Sequence, residues 1–195
     1  LGRVQQTTMS DDLASRLAGD LDSHFEELVR TFQDRLYSFA LRLTGSPQDA
    51  EESTQDTFVR AYRALQRYPA DRVQTLRLRP WLYQIALNVV RNRVRRPELP
   101  QLDIENHSIA AERRDEQPER ATLASETLAQ VEQALQTLPE RYSSAVVLRH
   151  VQGLSYAEAA EILDQPVGTT KSDVHRGLRL LREALESEPL LVGEH

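Results

Sequence analysis

Cysteine is absent from this 195-residue chain, which excludes disulfides and thiolate-held metals. The five histidines (His24, His107, His150, His175, His195) are scattered without paired ligand spacing, so no metal site and no cofactor is expected. No apolar run approaches the ~18 residues that span a bilayer. The first residues lack the basic-then-apolar pattern of a signal peptide, so the expectation is a cytoplasmic protein with no membrane insertion. Phosphate loops, zinc motifs and nucleophile elbows are also missing, which argues against an enzyme. No stretch alternates with the period of a strand, so the fold class is all-α. Lysine occurs once, at Lys171, leaving the basic character almost wholly to arginine, whose planar fork suits phosphate and guanine.

What is present is unevenly charged. The net charge of −6, from 24 basic and 30 acidic residues, at first argues against a nucleic-acid partner. Its distribution reverses that. Arg72 to Arg96 holds seven arginines and no acid, Glu98 to Arg120 seven acids against three arginines, and Asp49 to Asp56 four acids and no base. Local fields, not the total, govern encounter with DNA. Hydrophobic content of 39% suffices for packed cores, and a mean hydropathy of −0.54 fits a polar helical protein.

The periodicity predicts two helical units. Residues 1–20 read as a tail. From Phe25 to Leu43 apolar residues recur at helical spacing until Gly45-Ser46-Pro47. A second helix runs from Asp49 to about Gln66, with acids at its start, where they complement the helix dipole. Arg67 to Arg79 reads as a loop, and Trp81 to Arg96 as a helix entered through Pro80. Pro97, Pro100 and Pro118 bracket an acidic linker over residues 97–125. Helices at Glu126–Leu138 and Glu140–Val151 lead into the second unit, which spans residues 126–187 and leaves 188–195 as a tail.

The second unit ends in the most informative stretch, Gly153 to Arg182. Ser155 and Glu158 have capping-box spacing, Pro166 and Gly168 break the chain, and a further helix follows. Val174, Leu178, Leu181 and Leu185 form one apolar stripe, expected to dock. Ser172, Arg176 and Arg179 form a polar one, with Lys171 and His175 beside it. This is the pattern of a helix-turn-helix with a recognition helix. The plainer alternative is a helical hairpin with a merely solvated basic face.

Three segments in order resemble the extracytoplasmic-function (group IV) RNA polymerase sigma factors. They are RLYSFALRLTGSPQDAEESTQDTFVRAYRAL, PWLYQIALNVVRNRVRR and, after the acidic linker, LPERYSSAVVLRHVQGLSYAEAAEILDQPVGTTKSDVHRGLRLLRE. The resemblance covers about residues 25 to 185. It implies two small helical domains, sigma region 2 over residues 21–96 and sigma region 4 over 126–187, joined by the linker. It also implies binding to core RNA polymerase through the β′ clamp and β flap, to promoter DNA, and to an anti-sigma factor.

By the same resemblance Asp49, Glu51, Glu52, Gln55 and Asp56 match the surface that docks on the clamp. Tyr68, Arg77, Arg79, Trp81, Asn88, Arg91 and Arg95 match the part that opens and reads the −10 element. Thr169, Lys171, Ser172, Asp173, Arg176 and Arg179 match the part that meets the −35 element. In that frame Tyr68 and Trp81 would stack on splayed bases, although Trp81 equally suits an ordinary core tryptophan. Asn88 would read a base, or be simply exposed. Two positions depart from the family pattern: Asp173 stands where arginine is common, and Gly177 where alanine is usual. Asp173 could accept from cytosine, and Gly177 should cost its helix up to about 1 kcal/mol relative to alanine. The rival is a DNA-binding regulator that works without polymerase, which leaves the Asp49–Phe58 signature without a role.

Overall fold

The computed structural model describes residues 12–95 and 118–187, in the second segment with side chains from Leu128 onward. Among the described residues all regular structure is helical, as expected. The tails at 1–11 and 188–195, and the linker up to residue 117, lie outside them.

The first helix, α1 (residues 12–19), falls where a tail was expected. It is held because Leu13, Ala14 and Leu17 are buried in the core and Arg16 grips Glu27 at 2.5 and 2.7 Å. Asp20 caps the N-terminus of α2 (Leu21–Thr44), accepting from the Ser23 amide at 3.1 Å, and Gly45 ends that helix at φ +70°. Ser46 then caps α3 (Pro47–Leu65), with Pro47 in its first turn, where a missing amide is harmless. The expected loop contains a short helix, α4 (Ala70–Gln74), followed by α5 (Leu78–Val94).

In the second segment α6 (Pro118–Thr137) starts earlier than expected, so residues 118–125 are helical. Pro139 separates it from α7 (Glu140–Val146), which widens into a π-helical turn at Val147–Val151. Ser155 and Glu158 form the expected capping box on α8 (Tyr156–Leu163), in which the Ser155 amide donates to Glu158 at 2.7 Å. Asp164 closes that helix in the left-handed region, at φ 51°, and α9 (Val167–Ser187) follows.

The first bundle packs α2 along α3 and α5 around Leu28, Leu36, Phe39, Leu82 and Leu87. The Phe39 and Tyr83 rings meet edge to face at 5.2 Å between centroids. Each fully buried aliphatic side chain of this kind contributes roughly 1.5–3 kcal/mol. The second bundle packs α7 and α8 against α9. The two are not separate: α5 lies against α8, α2 against α6, and one apolar cluster continues from Leu82 and Leu87 to Leu148, Leu154 and Ile162.

Candidate functional sites

The acidic signature lies on α3. Glu51, Gln55 and Asp56 are exposed there. Asp49 and Glu52 are half-buried and turn to the same cation, Arg93 of α5, whose Nη1 donates to them at 3.1 and 2.6 Å. The bond from Arg93, reinforced by Gln48, holds the Glu52 carboxyl below its ordinary range. Part of the signature therefore ties α3 to α5 and part faces outward. Val59, one turn beyond Gln55, is 47% exposed and gives the outward face an apolar element that sequence reasoning missed. Its signal was positional: Glu51, Gln55 and Val59 recur every four residues.

The α4–α5 surface is less uniform. Tyr68 is half-buried, its ring 6.2 Å from that of Trp81, with the Arg72 guanidinium 3.7 Å above it. Trp81 packs against the core on one side. Tyr68 and Trp81 thus form a semi-enclosed aromatic step with a cation on top, and Arg72 is a member that sequence reasoning did not single out. Asn88 and Arg95 are exposed.

The remaining arginines of this set face the second bundle. Arg77 donates to Glu161 at 2.7 Å and lies 3.7 Å from Glu158. Arg79 donates to the Gln152 carbonyl, and Arg91 to Glu140 at 2.5 Å. Beneath them the Tyr83 hydroxyl donates to the Gln152 side chain at 2.6 Å. Burial pushes the Tyr83 phenol up to about 12.

On α9, Lys171, Ser172, Arg176 and Arg179 are exposed on one side, and Thr169 is half-buried at its edge. Lys171 stands 5.7 Å from the Tyr156 ring, and Arg179 makes only a loose 3.7 Å pair with Glu183.

Asp173 is not part of this face, contrary to expectation. Its side chain is 1% exposed and accepts from Arg141 at 2.9 Å and from Gln165 at 3.1 Å. The inward face of α9 is Thr170, Asp173, Val174 and Gly177, spaced i, i+3, i+4 and i+7, which rotates the expected stripe. Leu178, expected to dock, is 37% exposed.

Gly177 has a reason that its helix propensity hides. A Cβ there would sit 2.6 Å from Val146 Cγ2 and 3.0 Å from the Tyr142 carbonyl oxygen. The glycine lets α9 approach α7.

Comparisons with known proteins agree with this layout. Residues 28–98 match the family model of Sigma-70 region 2, and residues 128–181 that of Sigma-70, region 4. The ECF RNA polymerase sigma factor SigE of Mycolicibacterium smegmatis is 37% identical over 167 residues, which are 83% of this chain and 61% of that protein. RNA polymerase sigma-H factor of Pseudomonas aeruginosa is 35% identical, covering 86% of this chain and 88% of its own. SigW of Bacillus subtilis, another ECF sigma factor, is 32% identical over 86% of this chain and 91% of its own. Among solved structures, that of CnrH in complex with the cytosolic domain of CnrY superposes with a TM-score of 0.68 at 25% identity, covering 92% of this chain and 98% of CnrH. With both regions present in order on a matching fold, the chain belongs to the ECF RNA polymerase sigma factors.

Proposed function

We propose that this sigma factor divides its work among three faces: the outward side of α3 on core polymerase, α4–α5 on the −10 strand and the polar side of α9 in the −35 major groove. The observation that carries this is the exposed row Lys171, Ser172, Arg176 and Arg179, backed by a well-capped helix-turn-helix. Arginine there can make a bidentate contact with guanine, and lysine can neutralise phosphate. An acidic α3 face suits a basic docking partner and would steer association. Specificity in such a protein comes from binding alone, with polymerase supplying the chemistry. It would act in the cytoplasm.

An inhibitory protein partner also fits. The solved relative CnrH is bound to CnrY, and the RpoE of Bartonella quintana was solved with the anti-sigma factor NepR. For this chain an anti-sigma factor would act by covering the polymerase-facing or DNA-facing surfaces.

The test is reconstitution with core polymerase. Charge reversal at Glu51 and Asp56, both exposed, is expected to abolish core binding and leave the melting temperature unchanged. Glu52 is the wrong probe, because its reversal also breaks the Arg93 contact. Full core affinity in a well-folded Glu51→Lys/Asp56→Lys protein would refute the docking role. Tight promoter binding without polymerase would favour the stand-alone regulator.

A further inference from the structure

The geometry points to His175 as a further contact with the −35 element, one taken up as the imidazolium cation, so that promoter recognition is tied to a proton. The inference rests on the reading of α9 as the −35 surface. With Thr170, Asp173, Val174 and Gly177 facing inward, the opposite side of the helix is Gly168, Ser172, His175 and Arg179, spaced i, i+4, i+7 and i+11. His175 therefore sits at the centre of the outward face, with Lys171 on one flank and Arg176 on the other. Gly168 heads the stripe, and nothing lies within 4 Å of where its side chain would begin, so the approach is open.

Nothing in the described chain engages the imidazole. His175 is exposed and has no hydrogen-bond or ion partner among the described residues, whereas the His24 ring is held at the Asp20 carbonyl, 2.9 Å away. The charged groups beside it on α9 are Lys171, Arg176, Arg179 and Arg182, with Glu183 loosely paired to Arg179 at 3.7 Å. Of the described acids on the helices packed against α9, Glu132 pairs with Arg42, Glu140 with Arg91, and Glu158 and Glu161 with Arg77. Arg141 of α7 is turned inward to Asp173. From α8 the nearest titratable group on this side is Tyr156, whose ring lies 5.7 Å from Lys171 and 4.7 Å from Arg149. An anion that holds the charged ring has to come from the bound partner.

DNA supplies that anion. Imidazole is the side chain whose charge changes between about pH 5 and about pH 8, and a negative neighbour favours its charged form. A duplex carries one negative charge per about 1.7 Å of its axis, and an α-helix in the major groove brings the centre of its outward face into that field. Hydrogen bonding acts in the same direction. Phosphate oxygens and guanine N7 and O6 are acceptors only, so both N–H groups of an imidazolium find partners there. The neutral ring would turn a lone pair towards the same acceptors. Binding through the charged ring therefore takes a proton from solvent, and dissociation returns it.

The test uses holoenzyme reconstituted from core RNA polymerase and the full chain, on a promoter duplex selected by the parent holoenzyme from a randomised pool. Affinity is measured at fixed salt from about pH 6 to about pH 8. Proton uptake on binding is measured by calorimetry in two buffers of different ionisation enthalpy. His175→Ala removes the ring, and His175→Lys keeps a cation throughout that range. Both act at an exposed position, so the core is left alone. Arg176→Ala is measured beside them as a probe of the −35 reading itself.

Relative to His175→Ala, the parent should gain affinity as pH falls, on the order of fivefold across the range and never more than about tenfold per unit for one linked proton. His175→Ala should also take up a fraction of a proton less on binding. His175→Lys should be as flat as His175→Ala, while keeping at high pH the tight binding that the parent reaches only at low pH. Parallel pH profiles in the parent and His175→Ala, or equal proton uptake by the two, would overturn the inference. When Arg176→Ala loses base preference in the same experiment, that failure leaves the −35 reading standing. If neither His175→Ala nor Arg176→Ala changes promoter affinity or −35 base preference, the −35 reading falls and the inference with it.

Discussion

Gly177→Ala sets two effects of opposite sign against each other. On helix propensity alone the substitution should stabilise by up to about 1 kcal/mol, because α9 is long and glycine is its poorest interior residue. Packing opposes this. The new methyl would lie 2.6 Å from Val146 Cγ2 and 3.0 Å from the backbone oxygen of Tyr142. Neither neighbour is the loose end of a flexible chain: Val146 is β-branched and buried, and Tyr142 presents main chain. Overpacking of this kind costs roughly 1–3 kcal/mol. Packing therefore wins, with a net loss of up to about 2 kcal/mol, or a fall of roughly 2–8 °C in melting temperature for a chain of this size.

The assay is urea or thermal unfolding of the full chain, together with Val146→Ala and the double variant. Val146→Ala alone is destabilising because it opens a cavity, but it removes the atom that the new methyl strikes. The two substitutions should therefore couple favourably by about 1 kcal/mol or more. A Gly177→Ala protein more stable than the parent would refute the reasoning. So would strict additivity with Val146→Ala, since the clash would then not lie where the structure places it.

Two further predictions follow from buried groups. Asp173→Ala should destabilise by about 1–3 kcal/mol, because Arg141 and Gln165 lose an acceptor, yet leave −35 base preference unchanged in the folded fraction. Arg176→Ala should do the reverse, shifting preference at one base position by about 1–3 kcal/mol with little change in stability; promoter competition assays and unfolding curves separate the two. Tyr83 should give an alkaline transition. Its folded pKa of about 12 lies above the ordinary value of 10, so its contribution is complete below pH 10 and is lost as pH rises through 12, by roughly 3 kcal/mol. Tyr83→Phe should flatten stability between pH 10 and 12; an unchanged alkaline profile in that variant would assign the transition elsewhere.

The helices were legible because their stops are local chemistry. Gly45-Ser46-Pro47, Pro139 and the Ser155/Glu158 box act within a few residues, and the structure places ends at each of them. What escaped was decided by tertiary packing. Residues 12–19 look like tail because eight residues carry too few apolar side chains to form a helix alone; Leu13, Ala14 and Leu17 find a core already made. The face of α9 was misjudged because leucines outrank Thr170, Asp173 and Gly177 on any hydrophobic scale, while close approach to α7 admits only the smaller or paired residues. Asp173 became legible only with Arg141, 32 positions away, beside it.

The same limit applies with more force to the arginines. Sequence reasoning could see that Arg77, Arg79, Arg91 and Arg95 share an acid-free segment suited to phosphate. It could not see that Glu140, Glu158 and Glu161, each beyond the acidic linker, would reach two of them, Arg77 and Arg91, while the Gln152 carbonyl takes Arg79. Local charge density records what a surface is able to bind. Which anion holds it at rest depends on what the fold brings alongside, and here that is the domain meant for the other half of the promoter. A chain with a net charge of −6 can thus carry an arginine-rich surface and still have part of it paired with its own acids.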